Sequence, residues 1–226
     1  MKITETQIKG LYQAKGDLKT RLVTENKNRG VSVYGEQLIT VNSTEYRVWD
    51  PHRSKYVAGY LSGLKSLPQI YDKNILYLGV STGTTVSHFS DILINGLIYG
   101  VEFSPKVMRR FTKFSEQRQN IIPLLADARR PEQYSTFVFE VDLIYQDVAQ
   151  PDQAAIFGRN AQEYLKPSGE GILALKSQSV DVVLEPDEVF SRVMTQLEQT
   201  FDLKVVEYAS IDTFAKKHAL IVVKKE

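Results

Sequence analysis

The chain has 226 residues, of which 42% are hydrophobic and 24% charged, and this length allows one full α/β domain with an extension of roughly 50 residues. It contains no cysteine, no signal segment in its opening MKITETQIKG and no run near the roughly 20 apolar residues that cross a bilayer. These absences predict a soluble, cytoplasmic protein without a thiolate metal site or a membrane partner. Lys and Arg number 28 against 27 Asp and Glu, so the chain lacks the positive field of a protein that grips nucleic acid alone.

The first 50 residues alternate between apolar and polar side chains with a period near two. Turn residues interrupt the alternation at Asn28, Gly30, Gly35 and Asn42. The alternating positions are Leu18, Arg21, Val23, Val31, Val33, Leu38, Ile39 and Val41. This pattern predicts a small antiparallel β domain over residues 1–50.

A second domain is expected over residues 51–226. A helical pattern over residues 54–64, with Ser54 as its N-cap, leads into it. Apolar strands are predicted at 75–78, 98–102, 121–126, 143–146, 172–176, 203–208 and 219–223. Helices are predicted from about Val86, from Pro105, near Glu132, from Asp152 and from Pro186.

Alternating strands and helices favour an α/β fold, a doubly wound, seven-stranded, Rossmann-like sheet that is parallel through at least its first five strands. Only about ten residues, 209–218, join the last two strands, and they show no helical stripe. A right-handed crossover needs more chain than this, so we expect the last strand to be antiparallel.

The residues that end the strands carry the functional information, because open α/β sheets bind ligands at the carboxyl ends of their strands. Residues 79–85 form a turn in which Gly79 and Gly83 let the backbone approach a ligand at the start of a helix. This turn lacks the lysine of a P-loop and the Gly-x-Gly of a dinucleotide fingerprint.

Acidic residues end the next three strands, where S-adenosylmethionine needs them. Glu102 can accept both hydroxyls of a ribose, and Phe103 can pack on a purine. Asp127 can take the adenine amino group, and Asp147 would lie near the methionine half and its sulfonium. Each element alone fits a tight turn or a helix cap, but the ordered series predicts a methyltransferase that uses this cofactor.

Two basic residues share a sheet edge with Asp147 if the last strand is antiparallel. Lys176 ends the fifth strand and His218 begins the last one. The alternatives are a lysine that extends into solvent and a histidine in a solvated turn. Together the three suit methyl transfer to a hydroxyl, with Lys176 as the base and Asp147 orienting it.

These residues fall within strings that resemble fibrillarin, the ribose 2'-O-methyltransferase of box C/D ribonucleoproteins, and especially its archaeal form. The strings are VWDP at 48–51, LYLG at 76–79, GTTVSH at 83–88, VEFSP at 101–105, ADA at 126–128, QDVAQP at 146–151 and KHALIV at 217–222. The resemblance covers nearly the whole chain. It implies a Rossmann-like methyltransferase sheet with a small N-terminal antiparallel β domain.

The resemblance also implies a role for each site residue. The cofactor-binding set is Gly79, Ser81, Gly83, Thr84, Thr85, Glu102, Phe103, Asp127, Ala128, Asp147, Val148, Ala149 and Gln150. The catalytic set is Asp147, Lys176 and His218, joined by Lys55, the nearest match to a further lysine of related ribose methyltransferases. We expect Arg53 and Lys55 to contact the substrate RNA.

The resemblance also implies that the activity depends on other molecules, which would supply phosphate contacts that a chain of near-zero net charge lacks. They are a box C/D guide RNA, a target rRNA or tRNA, a Nop-type scaffold protein and a kink-turn-binding protein of ribosomal type. The chain departs from the family pattern at 80–82 (VST), which concerns the cofactor turn, and at 177–181 (SQSVD), where an arginine is missing.

Two other functions remain open from the residues. A metal-dependent small-molecule O-methyltransferase could use Asp147 as a ligand, but Lys176 on the next strand would repel the cation. A non-catalytic scaffold subunit of an RNA particle would have no reason to keep Asp147, Lys176 and His218 together.

Overall fold

The computed structural model describes residues 1–16 and 19–226, and Leu18 of the predicted alternation lies outside them. The described part of the N-terminal region contains β1 (Lys2–Glu5), β2 (Tyr12–Lys15), β3 (Thr20–Glu25), β4 (Leu38–Val41) and β5 (Thr44–Val48). These strands form one antiparallel sheet in the order β1-β2-β3-β5-β4, which confirms the predicted small sheet. The domain boundary after residue 50 stays a prediction.

A tight turn sets the register between β4 and β5. Val41 pairs with Thr44, so Asn42 and Ser43 alone connect the strands. Both have positive φ angles, 48° and 68°. This conformation at both central residues matches the right-handed twist of a hairpin, and asparagine tolerates it better than most residues.

The rest of the chain builds an α/β layer structure. Its strands are β6 (Ile75–Leu78), β7 (Ile98–Glu102), β8 (Ile121–Leu125), β9 (Val141–Gln146), β10 (Leu165–Lys176), β11 (Leu203–Ser210) and β12 (His218–Lys225). Its helices are α1 (Lys55–Leu61), α2 (Thr84–Ile92), α3 (Pro105–Ser115), α4 (Gln153–Tyr164), α5 (Ser177–Val180) and α6 (Pro186–Phe201). No helix in the described ranges is long and apolar enough to cross a membrane.

The second sheet has the order β11-β12-β10-β9-β6-β7-β8. Strands β6 to β10 pair in parallel, whereas β12 runs antiparallel to both β10 and β11. The predicted antiparallel last strand is therefore confirmed. His218 begins β12 directly opposite Lys176 at the end of β10.

Both faces of this sheet are covered by buried apolar side chains. Ile75 and Tyr77 of β6 belong to one buried cluster, and Leu76 and Leu78 belong to the other. Successive residues of a strand point to opposite faces, so an unbroken apolar strand serves both clusters. The first cluster also includes the N-terminal residues Ile8, Leu11, Leu22 and Trp49. The N-terminal region and the main sheet therefore share a core.

Buried charges join the N-terminal sheet to α2. Arg47 of β5 donates to Glu36 at 2.6 Å and to Asp91 of α2 at 2.6 Å. Asp91 also accepts from Arg118 at 2.6 Å. These side chains are almost completely buried, so each charge depends on its partner for stability.

A buried histidine forms a second connection. His88 of α2 hydrogen-bonds Thr24 Oγ1 at 2.8 Å through Nδ1 and the Tyr34 hydroxyl at 2.8 Å through Nε2. Trp49 stacks on its ring with 4.5 Å between centroids. Burial, the largest cause, lowers the pKa of His88 well below its ordinary value, so the ring is neutral.

Several local predictions were wrong in detail. Helix α1 ends at Leu61 instead of 64, before Gly63 at φ 94°. Ser54 occupies the N-cap position but forms no capping hydrogen bond. The helix expected near Glu132 is a single 3-10 turn, Pro131–Tyr134, and the short α5 was not predicted.

Candidate active site

The turn after β6 approaches the end of β9 too closely for any side chain. Gly79 has a φ of 83°, and a Cβ at this position would lie 2.6 Å from the carbonyl oxygen of Asp147. Ser81 has a positive φ of 52°, and Gly83, at φ 93°, precedes the first residue of α2. Glycine therefore allows two strand ends to meet beside the N-terminus of a helix.

A cavity opens at this edge of the sheet, with about 620 Å³ of empty space including its open mouth. We call it the strand-end cavity. It is lined by the predicted cofactor residues Gly79, Ser81, Glu102, Phe103, Asp127, Ala128, Asp147, Val148, Ala149 and Gln150. Val101, Ala126, Arg129 and Ile156 also line it and were not predicted.

Three predicted cofactor residues do not line this cavity. Gly83 lies against the ring of Phe114. Thr84 begins α2, and Thr85 donates its hydroxyl hydrogen to Ser54 Oγ at 2.9 Å. The hydroxyl of Thr85 is therefore bonded to the segment before α1 and does not face the cavity.

Glu102 is held rigidly at the end of β7. Its carboxylate accepts hydrogen bonds from the backbone amides of Ser81 at 3.1 Å and Ser104 at 2.9 Å. The residue is 8% exposed, and its free lone pairs remain available to two hydroxyl donors. Phe103 beside it is 64% exposed, which leaves an aromatic ring for a planar ligand.

Asp127, after β8, forms a paired contact with Arg129. Nη2 of Arg129 lies 2.8 Å from Oδ2, and Nε lies 3.1 Å from both carboxylate oxygens. A hydrogen bond from Arg129, the largest cause, lowers the pKa of the Asp127 carboxyl below its ordinary value. The side chain is therefore ionised at neutral pH and can only accept hydrogen bonds.

The predicted catalytic residues meet beside the cavity. Oδ2 of Asp147 accepts from Nζ of Lys55, the first residue of α1, at 2.7 Å. His218 lies across from Lys176 in the β10 and β12 pairing. Lys55, Asp147 and Lys176 are all close enough to His218 to influence its charge.

One expected contact is different in the structure. The sequence predicts that Asp147 orients Lys176, but its carboxylate accepts a hydrogen bond from Lys55 instead. The start of α1 faces the end of β9, and this proximity joins residues 92 positions apart. Within residues 1–16 and 19–226, Nζ of Lys176 forms no hydrogen bond or ion pair.

His218 is positioned as a hydrogen-bond acceptor. Its Nδ1 donates to the carbonyl oxygen of Lys216 at 2.7 Å, because a carbonyl can only accept. The neutral ring then has an unprotonated Nε2. Burial, the largest cause, and the charges of Lys55 and Lys176 lower the pKa of His218 below its ordinary value, so the neutral form predominates at pH 7.

Arg53 lies apart from the strand-end cavity. Its guanidinium carbon is 5.6 Å from the ring centroid of Tyr34. Arg53 lines a groove beside the N-terminal sheet that also includes Lys19 and Arg21, with about 1400 Å³ of empty space including its mouth. In the described part of the chain, no group of three or more His, Asp or Glu side chains could hold a metal ion.

The doubly wound sheet, its antiparallel last strand and the acidic strand ends define a Rossmann-like α/β protein of the methyltransferase fold class. The model of the family described as Fibrillarin matches residues 3–226. The chain belongs to the fibrillarin family.

Three similar proteins document the relationship. A protein of Pyrococcus furiosus named fibrillarin-like rRNA/tRNA 2'-O-methyltransferase is 47% identical over 210 residues, which cover 92% of each chain. The structure of Aeropyrum pernix fibrillarin with natively bound S-adenosyl-L-methionine has a TM-score of 0.90 and 42% identity, covering 99% of this chain and 98% of that one. Fibrillarin in a fibrillarin/Nop5p complex has a TM-score of 0.88 and 38% identity, covering 98% and 100%.

Proposed function

We propose that this protein transfers a methyl group from S-adenosylmethionine to the ribose 2'-hydroxyl of rRNA and tRNA, at nucleotides selected by a box C/D guide RNA. The position of Asp147 carries the proposal. This residue lines the strand-end cavity and also binds Lys55 beside Lys176 and His218. It thus joins the strand-end cavity to a cluster of basic groups, as methyl transfer to a hydroxyl requires.

The cavity residues fit this cofactor. Glu102 would hold the ribose hydroxyls, Phe103 would pack on the purine, and Asp127 would accept from the adenine amino group. Asp147 and the backbone that follows it would hold the methionine half. When bound, the cofactor supplies an electrophilic methyl group on a sulfonium. The Aeropyrum pernix relative contains the cofactor in its solved structure.

The basic cluster would prepare the acceptor hydroxyl. Lys176 is the proposed proton acceptor, because Lys55 is already paired with Asp147 at 2.7 Å. Nε2 of His218 is free to accept a hydrogen bond from the ribose and to orient it. Holding the oxygen in line with the methyl group contributes much of the acceleration in such a reaction.

The RNA would approach over the segment before α1. Arg53 precedes α1, Lys55 is the first residue of α1, and Arg53 lines the groove with Lys19 and Arg21. Lysine and arginine side chains commonly bind phosphate and so position an RNA without reading its sequence. We therefore assign Arg53 to the RNA backbone and Lys55 to both the RNA and the reaction.

The assembly we propose contains a Nop-type scaffold protein, a kink-turn-binding protein of ribosomal type and the guide RNA, and it works in the cytoplasm. One relative was solved in a fibrillarin/Nop5p complex. The net charge of +1 supports a need for partners, since binding to RNA phosphates depends on many cationic contacts.

The experiment that tests the chemistry compares Lys176→Ala with Lys216→Ala in the complete assembly. Lys216 lies nearby, but its side chain is 82% exposed and pairs with Asp212. Calorimetry should give the same cofactor affinity for both variants, while radiolabelled methyl transfer is lost only in Lys176→Ala. Unchanged turnover in Lys176→Ala would remove this lysine from the mechanism.

A further inference from the structure

The carboxylate of Asp127, after β8, is held by several hydrogen bonds from one neighbouring residue, Arg129. Three N–H groups of Arg129 reach Asp127: Nη2 at 2.8 Å, the backbone amide at 3.0 Å, and Nε at 3.1 Å from each oxygen. An ionised carboxylate has about four lone-pair positions. Each oxygen of Asp127 accepts two of these contacts, with Nε shared between them, so Arg129 fixes the orientation of the whole carboxylate.

The backbone around Asp127 is also fixed. Its amide donates to the side chain of Gln133 at 3.1 Å, and its carbonyl accepts from the amide of Arg130 at 2.8 Å. The next carbonyl, of Ala128, accepts from Asn160 Nδ2 at 2.8 Å, and Asn160 is fully buried. Neither the backbone nor the side chain of Asp127 can turn freely to suit a different ligand.

Both Asp127 and Arg129 line the strand-end cavity. We propose that Arg129 is a positioning residue that sets the purine specificity of the cofactor site, by holding the Asp127 carboxylate in one orientation toward the 6-amino group. This inference rests on the proposed cofactor. A carboxylate only accepts hydrogen bonds, so a purine that presents an N–H donor gains an interaction that a purine without one cannot form.

The contact with Asp127 distinguishes Arg129 from the neighbouring Arg130. Arg130 has the same charge and follows directly, but its side chain forms no hydrogen bond with Asp127 in the described ranges and does not line the cavity. Arg130→Ala therefore removes an adjacent positive charge and leaves the paired contact intact. It is the matched control for Arg129→Ala.

Calorimetry with two ligands tests the proposal on the folded protein without any RNA. The first is S-adenosylhomocysteine, and the second is the same molecule with hydrogen in place of the 6-amino group. Because hydrogen bonds to charged groups are comparatively strong, the unmodified protein should prefer the first ligand by roughly 10-fold to 100-fold. Arg129→Ala should reduce this preference by about tenfold, mainly through weaker binding of the first ligand.

Arg130→Ala should keep the full preference, and Asp127→Ala should abolish it. The proposal is overturned if Arg129→Ala keeps the preference, or if it weakens the binding of both ligands equally, since Arg129 would then merely shape the cavity. It is also overturned if Arg129→Ala binds S-adenosylhomocysteine more tightly, since Arg129 would then block the cavity. Retention of the preference in Asp127→Ala would also overturn it. Methyl transfer to RNA is measured in parallel with the unmodified protein in the complete assembly. If methyl transfer occurs while the ligand preference fails as described, only the role of Arg129 is refuted, whereas a loss of methyl transfer would refute the proposed function.

Discussion

Gly79→Ala probes the closest approach in the site. The added Cβ would lie 2.6 Å from the carbonyl oxygen of Asp147 and 2.9 Å from Val148 Cγ1. A backbone carbonyl cannot escape by changing rotamer, so the end of β9 must move by most of an ångström to restore an ordinary contact at 3.4 Å. That movement displaces the carboxylate that binds Lys55.

Two costs follow and can be separated. The φ of 83° costs an L-residue about 1–2 kcal/mol of stability. A displacement of about 1 Å in a reacting group can reduce the rate by about 100-fold. Gly30→Ala is the matched control, because Gly30 has a φ of 79° and nothing within 4 Å of its added Cβ.

Thermal unfolding, calorimetric titration with S-adenosylhomocysteine and radiolabelled methyl transfer measure these effects. Both variants should lose stability from backbone strain, and Gly79→Ala should lose more because its Cβ also clashes with the end of β9. Only Gly79→Ala should bind the cofactor product more weakly and lose most turnover. If the two variants behave alike in binding and turnover, the turn does not position Asp147 as described.

Two further predictions concern ionisable groups. Asp91→Ala leaves Arg47 and Arg118 without their shared carboxylate, so denaturant unfolding should show a loss of about 3–5 kcal/mol, against at most about 1 kcal/mol for Glu25→Ala at an exposed ion pair. Equal losses would contradict the role of the buried cluster. An NMR titration should place the pKa of His218 below 6.5, and Lys55→Met should raise it, because a positive charge that disfavours the protonated ring is removed. Turnover that needs the neutral ring should then fall as the pH drops through that pKa. An NMR titration midpoint of His218 that is the same in Lys55→Met would contradict the placement of Lys55 near His218.

The strand ends were predictable because local sequence determines them. Apolar runs that end in Gly79, Glu102, Asp127 and Asp147 fix the strand termini, and parallel pairing brings their carboxyl ends to one edge. The short connection before His218 gave the direction of the last strand for the same reason.

Contacts between distant segments were not predictable from the pattern. Lys55 reaches Asp147 only because the start of α1 lies beside the end of β9. Nothing in the local sequence determines how α1 is placed relative to that strand end. The burial of His88 beneath Trp49 likewise depends on how the N-terminal sheet packs on α2. The pairing of Arg129 with Asp127 depends in the same way on the conformation of the turn after β8.

The central claim is guide-directed methyl transfer to a ribose. The most direct test is transfer of a radiolabelled methyl group from S-adenosylmethionine to a target RNA in the presence of a metal chelator, with and without the guide RNA and both partner proteins. A label is expected on the 2'-oxygen of the nucleotide that the guide selects, and only in the complete assembly. Equal labelling without the guide RNA and partners, or a label on a base, would contradict it.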